Sequence, residues 1–200
     1  MKRTQAAMLV VLLFGFAGAG PGSDVWAQGR GAATLFDAAA LMKWNRLGDA
    51  NWEIVDGAVQ ATKGMNSYLV SPMSYGDFQM TLEICVTDDA NSGVFIRCED
   101  PKNITAMNAY EVNIYDKRPD QTYRTGSIVD VAKPIVNNIN AGGRWSTLDI
   151  TAQGTKLIVV MNGMKTVDVD DKSHARGPIA LQYGANSTAV KFRNVRIRTL

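Results

Sequence analysis

Two dipeptides constrain what this chain can fold into more than any other feature. Asp56-Gly57 separates NWEIV from AVQAT, and Asn162-Gly163 separates KLIVVM from MKTVDV, so each pair sits between runs of alternating apolar and polar residues. A two-residue turn that matches the twist of an antiparallel pair needs positive φ at both central positions, which Asp and Asn tolerate and Gly adopts freely. Both places therefore read as β-hairpins. Further strands are expected at SYLVSP, DFQMTLEICV, GVFIRC, AYEVNIYD, STLDITAQ, GPIALQYG and AVKFRNVRIRTL, with turn residues between them. Only TLFDAAALMKW is helix-compatible, through its Ala-rich middle. Many short strands and one short helical window predict an all-β sandwich or barrel of antiparallel strands.

The chain opens with Lys2 and Arg3, continues with the apolar run AAMLVVLLFGF and reaches Val25-Trp26-Ala27. This is the pattern of a secretory leader with cleavage after Ala27. The apolar run falls short of the roughly 20 residues that a spanning helix needs. No stable membrane insertion is expected after cleavage, and the mature protein is expected to be secreted or periplasmic. Residues 28–200 are expected to form one domain. Removing the leader takes Lys2, Arg3 and Asp24 from the 21 basic and 19 acidic residues, so the mature charge is nearly balanced. That balance gives no electrostatic footprint for nucleic acid.

Cys85 and Cys98 are the two cysteines. The strands QMTLEICV and GVFIRC flank the polar segment TDDANS and are expected to pair as a hairpin, with Glu83 near Arg97. In that register the cysteines lie on opposite faces, about 10 Å apart at ordinary strand rise, and a disulfide needs their α-carbons within about 7 Å. Free thiols are expected.

The strand YEVNIYD, Tyr110 to Asp116, places Tyr110, Val112 and Ile114 on one side and Glu111, Asn113 and Tyr115 on the other. The polar side is either a wetted outer surface or the floor of a site. With the hairpin beside it, Glu83, Arg97, Glu111 and Asn113 would gather on one face. The segment Lys117 to Gly143 is rich in Asn, Gly, Asp and Pro, and a connection of that length in a small β domain is commonly functional. It is expected to form part of a site rim.

The ordered series WEIVDGAV, SYLVSP, YGDFQMTLE, NSGVFIR, YEVNIYD, RTGSI, GRWSTLDI, LIVVMNG, GPIALQYG and VKFRNVRIR resembles the 3-keto-disaccharide hydrolase domain family from about Thr34 to Leu200. The resemblance implies a concanavalin A-like jelly roll of two antiparallel sheets with a face that handles carbohydrate. It aligns the family's NSG turn with Asn91, Ser92 and Gly93, its arginine with Arg97, its strand glutamates with Glu83 and Glu111, and its TG turn with Thr125 and Gly126. Asn113 stands where the family usually has Gln, and Tyr183 stands where many members have His.

A retaining glycosidase needs two carboxyl groups about 5 Å apart, and the alternate positions of YEVNIYD supply only Glu111. A sugar already oxidised at carbon 3 needs less, because its ketone acidifies the proton on carbon 2. The resemblance then casts Glu111 as base, Arg97 and Asn113 as partners of the enolate oxygen, and Tyr115, Asp116 or Glu83 as proton source. Arg124 would hold a hydroxyl, Asn91 would border the site, and Trp145 is the best of the tryptophans for stacking on a sugar. His174, the single histidine, reads as a surface loop residue. No His/Cys spacing marks a metal site, and no cofactor is expected. Two readings stay open: a hydrolase or lyase of 3-keto-glycosides, and a non-catalytic carbohydrate-binding module on the same face.

Overall fold

The computed structural model describes residues 33–185 and 187–200. The leader expected at residues 1–27 lies outside them. The chain runs through β1 (Thr34–Phe36), α1 (Ala38–Leu41), β2 (Asn45–Leu47), β3 (Glu53–Val55), β4 (Ala58–Ala61), β5 (Ser67–Tyr75), β6 (Phe78–Val86), β7 (Ser92–Ile96) and β8 (Tyr110–Ile114). It continues through β9 (Trp145–Gln153), β10 (Lys156–Met161), β11 (Met164–Asp170), β12 (Gly177–Tyr183) and β13 (Val190–Thr199). One sheet has the order β11-β10-β9-β6-β13-β4-β3, with β1 also paired to β13, and the other has the order β2-β5-β12-β7-β8. All of these pairings are antiparallel. The architecture is the jelly-roll sandwich expected from the sequence.

Both dipeptide turns form where expected. Asp56 and Gly57 have φ of 51° and 75°, Asn162 and Gly163 have φ of 50° and 78°, and they close β3–β4 and β10–β11. The helical window yields a single turn, α1, whose first turn is capped by Asp37 Oδ1 accepting from Ala40 N–H at 2.8 Å. Residues before it pair with β13 instead of extending the helix.

Alternation sets the core. In β6 the residues Phe78, Met80, Leu82, Ile84 and Val86 are buried while the intervening ones are partly exposed, and they pack against Val94, Ile96, Tyr110, Val112 and Ile114 of the facing sheet. Burying each such side chain contributes roughly 1.5–3 kcal/mol. The five-stranded sheet differs because β12 is buried at every position. Its second face carries a smaller cluster of Tyr68, Val70, Phe95, Cys98, Ile104, Ala109 and Ala180.

The expected β6–β7 hairpin does not form. β6 is paired on both sides, by β9 and β13, and β7 lies in the other sheet between β12 and β8. The segment between them changes sheets. It is tied to the loop before β13 by Thr87 N–H to the Ala189 carbonyl at 3.2 Å. The cysteines are free, and they are separated by residence in different sheets, not by hairpin register. Cys98 packs in the outer cluster and not in the central core.

Candidate functional site

Strand register assembles two rows on the outer face of the five-stranded sheet. One runs Tyr68, Gln182, Gly93, Asn113, and the next runs Val70, Ala180, Phe95, Glu111. Directly opposed residues have β-carbons about 4.5–5.5 Å apart, so the second row is a continuous strip of side chains and the first is broken only at Gly93. The apolar end is roofed by the segment after β7. Ile104 and Ala109 pack there, the Tyr68 hydroxyl donates to the Ile104 carbonyl at 3.4 Å, and the Tyr68 and Phe95 rings meet edge to face at 5.5 Å.

The polar end centres on Glu111 and the missing side chain at Gly93. A methyl group at Gly93 would lie 3.4 Å from Gln182 Oε1 and 3.6 Å from Glu111 Cγ, so both side chains lean over the glycine. It would also press on the Val112 carbonyl at 3.0 Å. Asn113 is fully buried. Its Nδ2 donates to the Tyr123 carbonyl at 2.5 Å, while its Oδ1 has no partner. The Gln182 side chain lies in register with Tyr68, and its Oε1 is likewise unpaired. Buried acceptors without partners are uncommon in folded proteins and call for an explanation. Both lie below the surface, on the same face as Glu111.

Glu111 is partly buried. Burial pushes its carboxyl up from 4.5 to about 7, with the Arg118 guanidinium pulling down and the Asp130 carboxylate pushing up. Burial also raises the Tyr68 hydroxyl, with the Glu111 charge adding to the rise and the Gln182 hydrogen bond opposing it. A carboxyl near neutrality can take up or release a proton at ordinary pH, which is the requirement for a general base or acid.

The structure brings Glu111 and Asn113 together and sends other expected residues elsewhere. Arg97 follows β7 with φ of 54° and points into one end of the sandwich, not onto the polar face. It is fully buried, donating to the carbonyls of Gly76 and Gly154 at 2.9 Å and of His174 at 3.1 Å, and pairing with Asp77 at 3.2 Å. Its nitrogens staple turns together. Glu83 lies on the outer face of the eight-stranded sheet, paired with Arg193 at 2.6 Å and accepting from Asn194 at 3.0 Å. Trp145 is on that same outer face, with the Arg193 guanidinium 3.8 Å from its ring centroid. Neither Glu83 nor Trp145 shares a sheet with Glu111.

Asp116 accepts from the Thr125 hydroxyl at 2.5 Å, from Ala141 N–H at 3.0 Å and from Gly142 N–H at 2.9 Å, so it anchors the long connection. Arg124 donates to the carbonyls of Asn137 at 2.6 Å and Ile139 at 3.2 Å and to Asn140 Oδ1. Asn91 and Tyr115 are partly buried and lie one step beyond the ends of β7 and β8. The backbone of Asn91 is held by Ser187 and Gly184. His174, expected at the surface, is buried with its Nδ1 2.9 Å from Glu99 Oε1 and its N–H donating to the Tyr110 hydroxyl. Among the described residues no three His, Cys, Asp or Glu side chains are grouped to hold a metal ion.

Tyr68, Phe95, Gln182 and Arg118 were not among the expected site residues. The available signal was Gln182 itself, a lone amide in the otherwise apolar run GPIALQYG, sharing its face with Ala180. Arg118 carried no signal beyond its place two residues after Asp116.

With this geometry in hand, comparisons with known proteins are informative. No match is found among curated proteins. Among solved structures, a protein of Parabacteroides distasonis ATCC 8503 provisionally named a glycosyl hydrolase is 24% identical, with a TM-score of 0.64 over 74% of this chain and 90% of that one. A carbohydrate binding module from Bacillus subtilis is 17% identical, with a TM-score of 0.58 over 78% of this chain and 96% of that one. A Bacillus subtilis protein of unknown function with a galectin-like fold is 10% identical, with a TM-score of 0.60 over 85% and 97%. These likenesses show the fold. The model of the 3-keto-alpha-glucoside-1,2-lyase-like domain matches residues 31–198, nearly all of the chain, and the chain belongs to that family.

Proposed function

We propose that this is an exported carbohydrate-active protein that cleaves 3-keto-glycosides by elimination, with Glu111 as the base. The observation that carries the reading is a partly buried carboxyl held near 7, beside the unpaired carbonyl oxygens of Asn113 and Gln182. Family membership supports the substrate class.

Glu111 removes the proton from carbon 2, and the electron pair of that C–H bond passes to the ketone oxygen, forming an enolate. The enolate collapses, the C1–O bond to the aglycone breaks, and its electron pair leaves on the aglycone oxygen, which takes up the proton that Glu111 removed and restores the carboxylate. Water then adds to the unsaturated keto-sugar. Arg118, whose charge already acts on Glu111, replaces Arg97 as the cation for the enolate oxygen, because the donors of Arg97 are engaged with backbone carbonyls and Asp77. The gap at Gly93 lets the ring approach the sheet above the buried amides of Asn113 and Gln182.

The test is turnover of 3-keto-glucosides and their unoxidised parents by the parent protein and by Glu111→Gln. Cleavage of the keto-sugars alone is expected, reduced at least about a hundredfold in the variant, since general bases commonly supply 10²–10⁴. Because the base must be ionised, kcat/KM should rise with pH and level off above about 7. The same polar end, with its gap at Gly93, equally fits a module that holds a sugar without cleaving it. Tight binding with no turnover of any keto-sugar selects that second reading.

A further inference from the structure

Trp145 needs an explanation that the Glu111 face does not give. It is the first residue of β9 and is 36% exposed on a sheet whose outward positions along that strand are otherwise Thr147, Asp149, Thr151 and Gln153. It is therefore neither core nor near Glu111, which lies in the other sheet. Its ring is held in place: the Arg193 guanidinium lies 3.8 Å from the ring centroid, Glu83 fixes Arg193 at 2.6 Å, and Asn194 fixes Glu83 at 3.0 Å.

Beside the ring is a cavity of about 270 Å³ lined by Trp145, Met164, Ile139, Asn138, Asn162 and Arg144. Arg193, which lies over the ring, is not part of the lining. The walls are braced. Arg124 grips the carbonyls of Asn137 and Ile139, and Asn162 accepts from Thr147 N–H at 2.9 Å and donates to Ser146 Oγ at 3.2 Å. Arg144 bonds the Asn140 carbonyl through one nitrogen at 2.9 Å, leaving donors in its fork. It is the only charged residue in the lining.

The chemistry specifies an occupant. A flat indole presents an apolar face to the C–H groups of a sugar ring, the asparagines offer edge contacts to hydroxyls, and a guanidinium fork matches a carboxylate. The volume lies just below the roughly 300–1,000 Å³ of pockets for drug-sized ligands, which suits one ring and not a chain. We propose that the Trp145 cavity is a second carbohydrate site, separate from the Glu111 face, that takes a single pyranose ring bearing a carboxylate, a hexuronate.

The test is NMR titration of the full mature protein with methyl β-glucuronide and, separately, methyl β-glucoside, following the Trp145 indole N–H and the backbone amides of Asn162 to Met164. The glucuronide should shift these signals at millimolar concentration, at least about tenfold more tightly than the glucoside, a difference that added salt narrows. Trp145→Ala should abolish the amide shifts, Trp145→Phe should retain weakened ones, and Arg144→Ala should bring glucuronide affinity down to that of the glucoside. Glu111→Gln should bind as the parent does, so failure of the catalytic reading leaves this result intact. The proposal is overturned by absence of shifts at tens of millimolar glucuronide, by shifts that persist in a folded Trp145→Ala protein, or by equal affinity for the two glycosides.

Discussion

Replacing Glu111 with Gln should make the protein more stable as well as inactive, and the gain should appear only above a particular pH. The fold holds this carboxyl at about 7 instead of 4.5, chiefly through burial. Between those values the native state keeps a proton that the unfolded chain has released. Stability therefore falls as pH rises through that window. At about 1.4 kcal/mol per pH unit, the native state gives up about 3 kcal/mol once Glu111 is ionised. Below 4.5 both states are protonated and the term vanishes. Gln keeps the size and polarity of the side chain but cannot ionise. The variant should match its parent near pH 4 and exceed it by up to about 3 kcal/mol at pH 8, or about 6–12 °C in Tm for a domain of this size. Every other ionisable group is common to both proteins, so the quantity to read is the difference between variant and parent in urea and thermal unfolding at pH 4, 6 and 8. A difference that stays constant across that range would refute the reasoning, because it would mean that Glu111 titrates like a solvated carboxylate.

Other substitutions test the residues that the structure moves away from the chemistry. Asp116→Ala removes the acceptor of Thr125 Oγ1, Ala141 N–H and Gly142 N–H, and urea unfolding should show a loss of about 2–4 kcal/mol. Arg97→Met strands three carbonyls that the guanidinium now satisfies and should cost about 3–5 kcal/mol by the same measurement. A small loss in either variant would mean that these contacts contribute little. In the folded protein Cys98 should resist alkylation, since burial pushes its thiol up to about 12. Both cysteines should label after denaturation without reductant, and intact mass reads the outcome directly.

Legibility from sequence followed the range of the interaction. Asp56-Gly57 and Asn162-Gly163 were readable because the positive φ they adopt is a property of the two residues and their neighbours. The inward face of β6 was readable for the same reason, since strand parity is local. Which strand lies beside β6 was not, because alternation says only that a partner exists. The short connection after β6 suggested β7, whereas β9 and β13 occupy both edges. That error carried Glu83 onto the wrong face, whereas Arg97 leaves the face because β7 ends at Ile96 and the chain turns at Arg97 with φ of 54°. Parity correctly put Glu111 and Asn113 outward, but their companions Gln182 and Tyr68 come from strands far away in sequence. β12 is covered on both faces, as is β5 around Tyr68, so their outward polar residues are hidden among apolar ones.

The long connection between β8 and β9 belongs to both faces of the sandwich. Near its start it continues the five-stranded sheet past β8: Val129 N–H donates to the Glu111 carbonyl, and Asn113 exchanges backbone bonds with Ser127 and Gly126. Near its end it forms a wall of the Trp145 cavity through Asn138 and Ile139. Asp116 and Arg124 close it on itself, one binding the amides of Ala141 and Gly142, the other the carbonyls of Asn137 and Ile139. At Gly126, with φ of 86°, an added methyl would strike Thr166 at 3.1–3.3 Å, so the strap is also fitted against β11. A segment so braced holds its two ends in fixed relation, and it positions the backbone under Glu111, the Arg118 guanidinium whose charge acts on that carboxyl, and the rim beside Trp145. The polar residues that made this stretch look like part of a site are mostly spent on keeping it rigid.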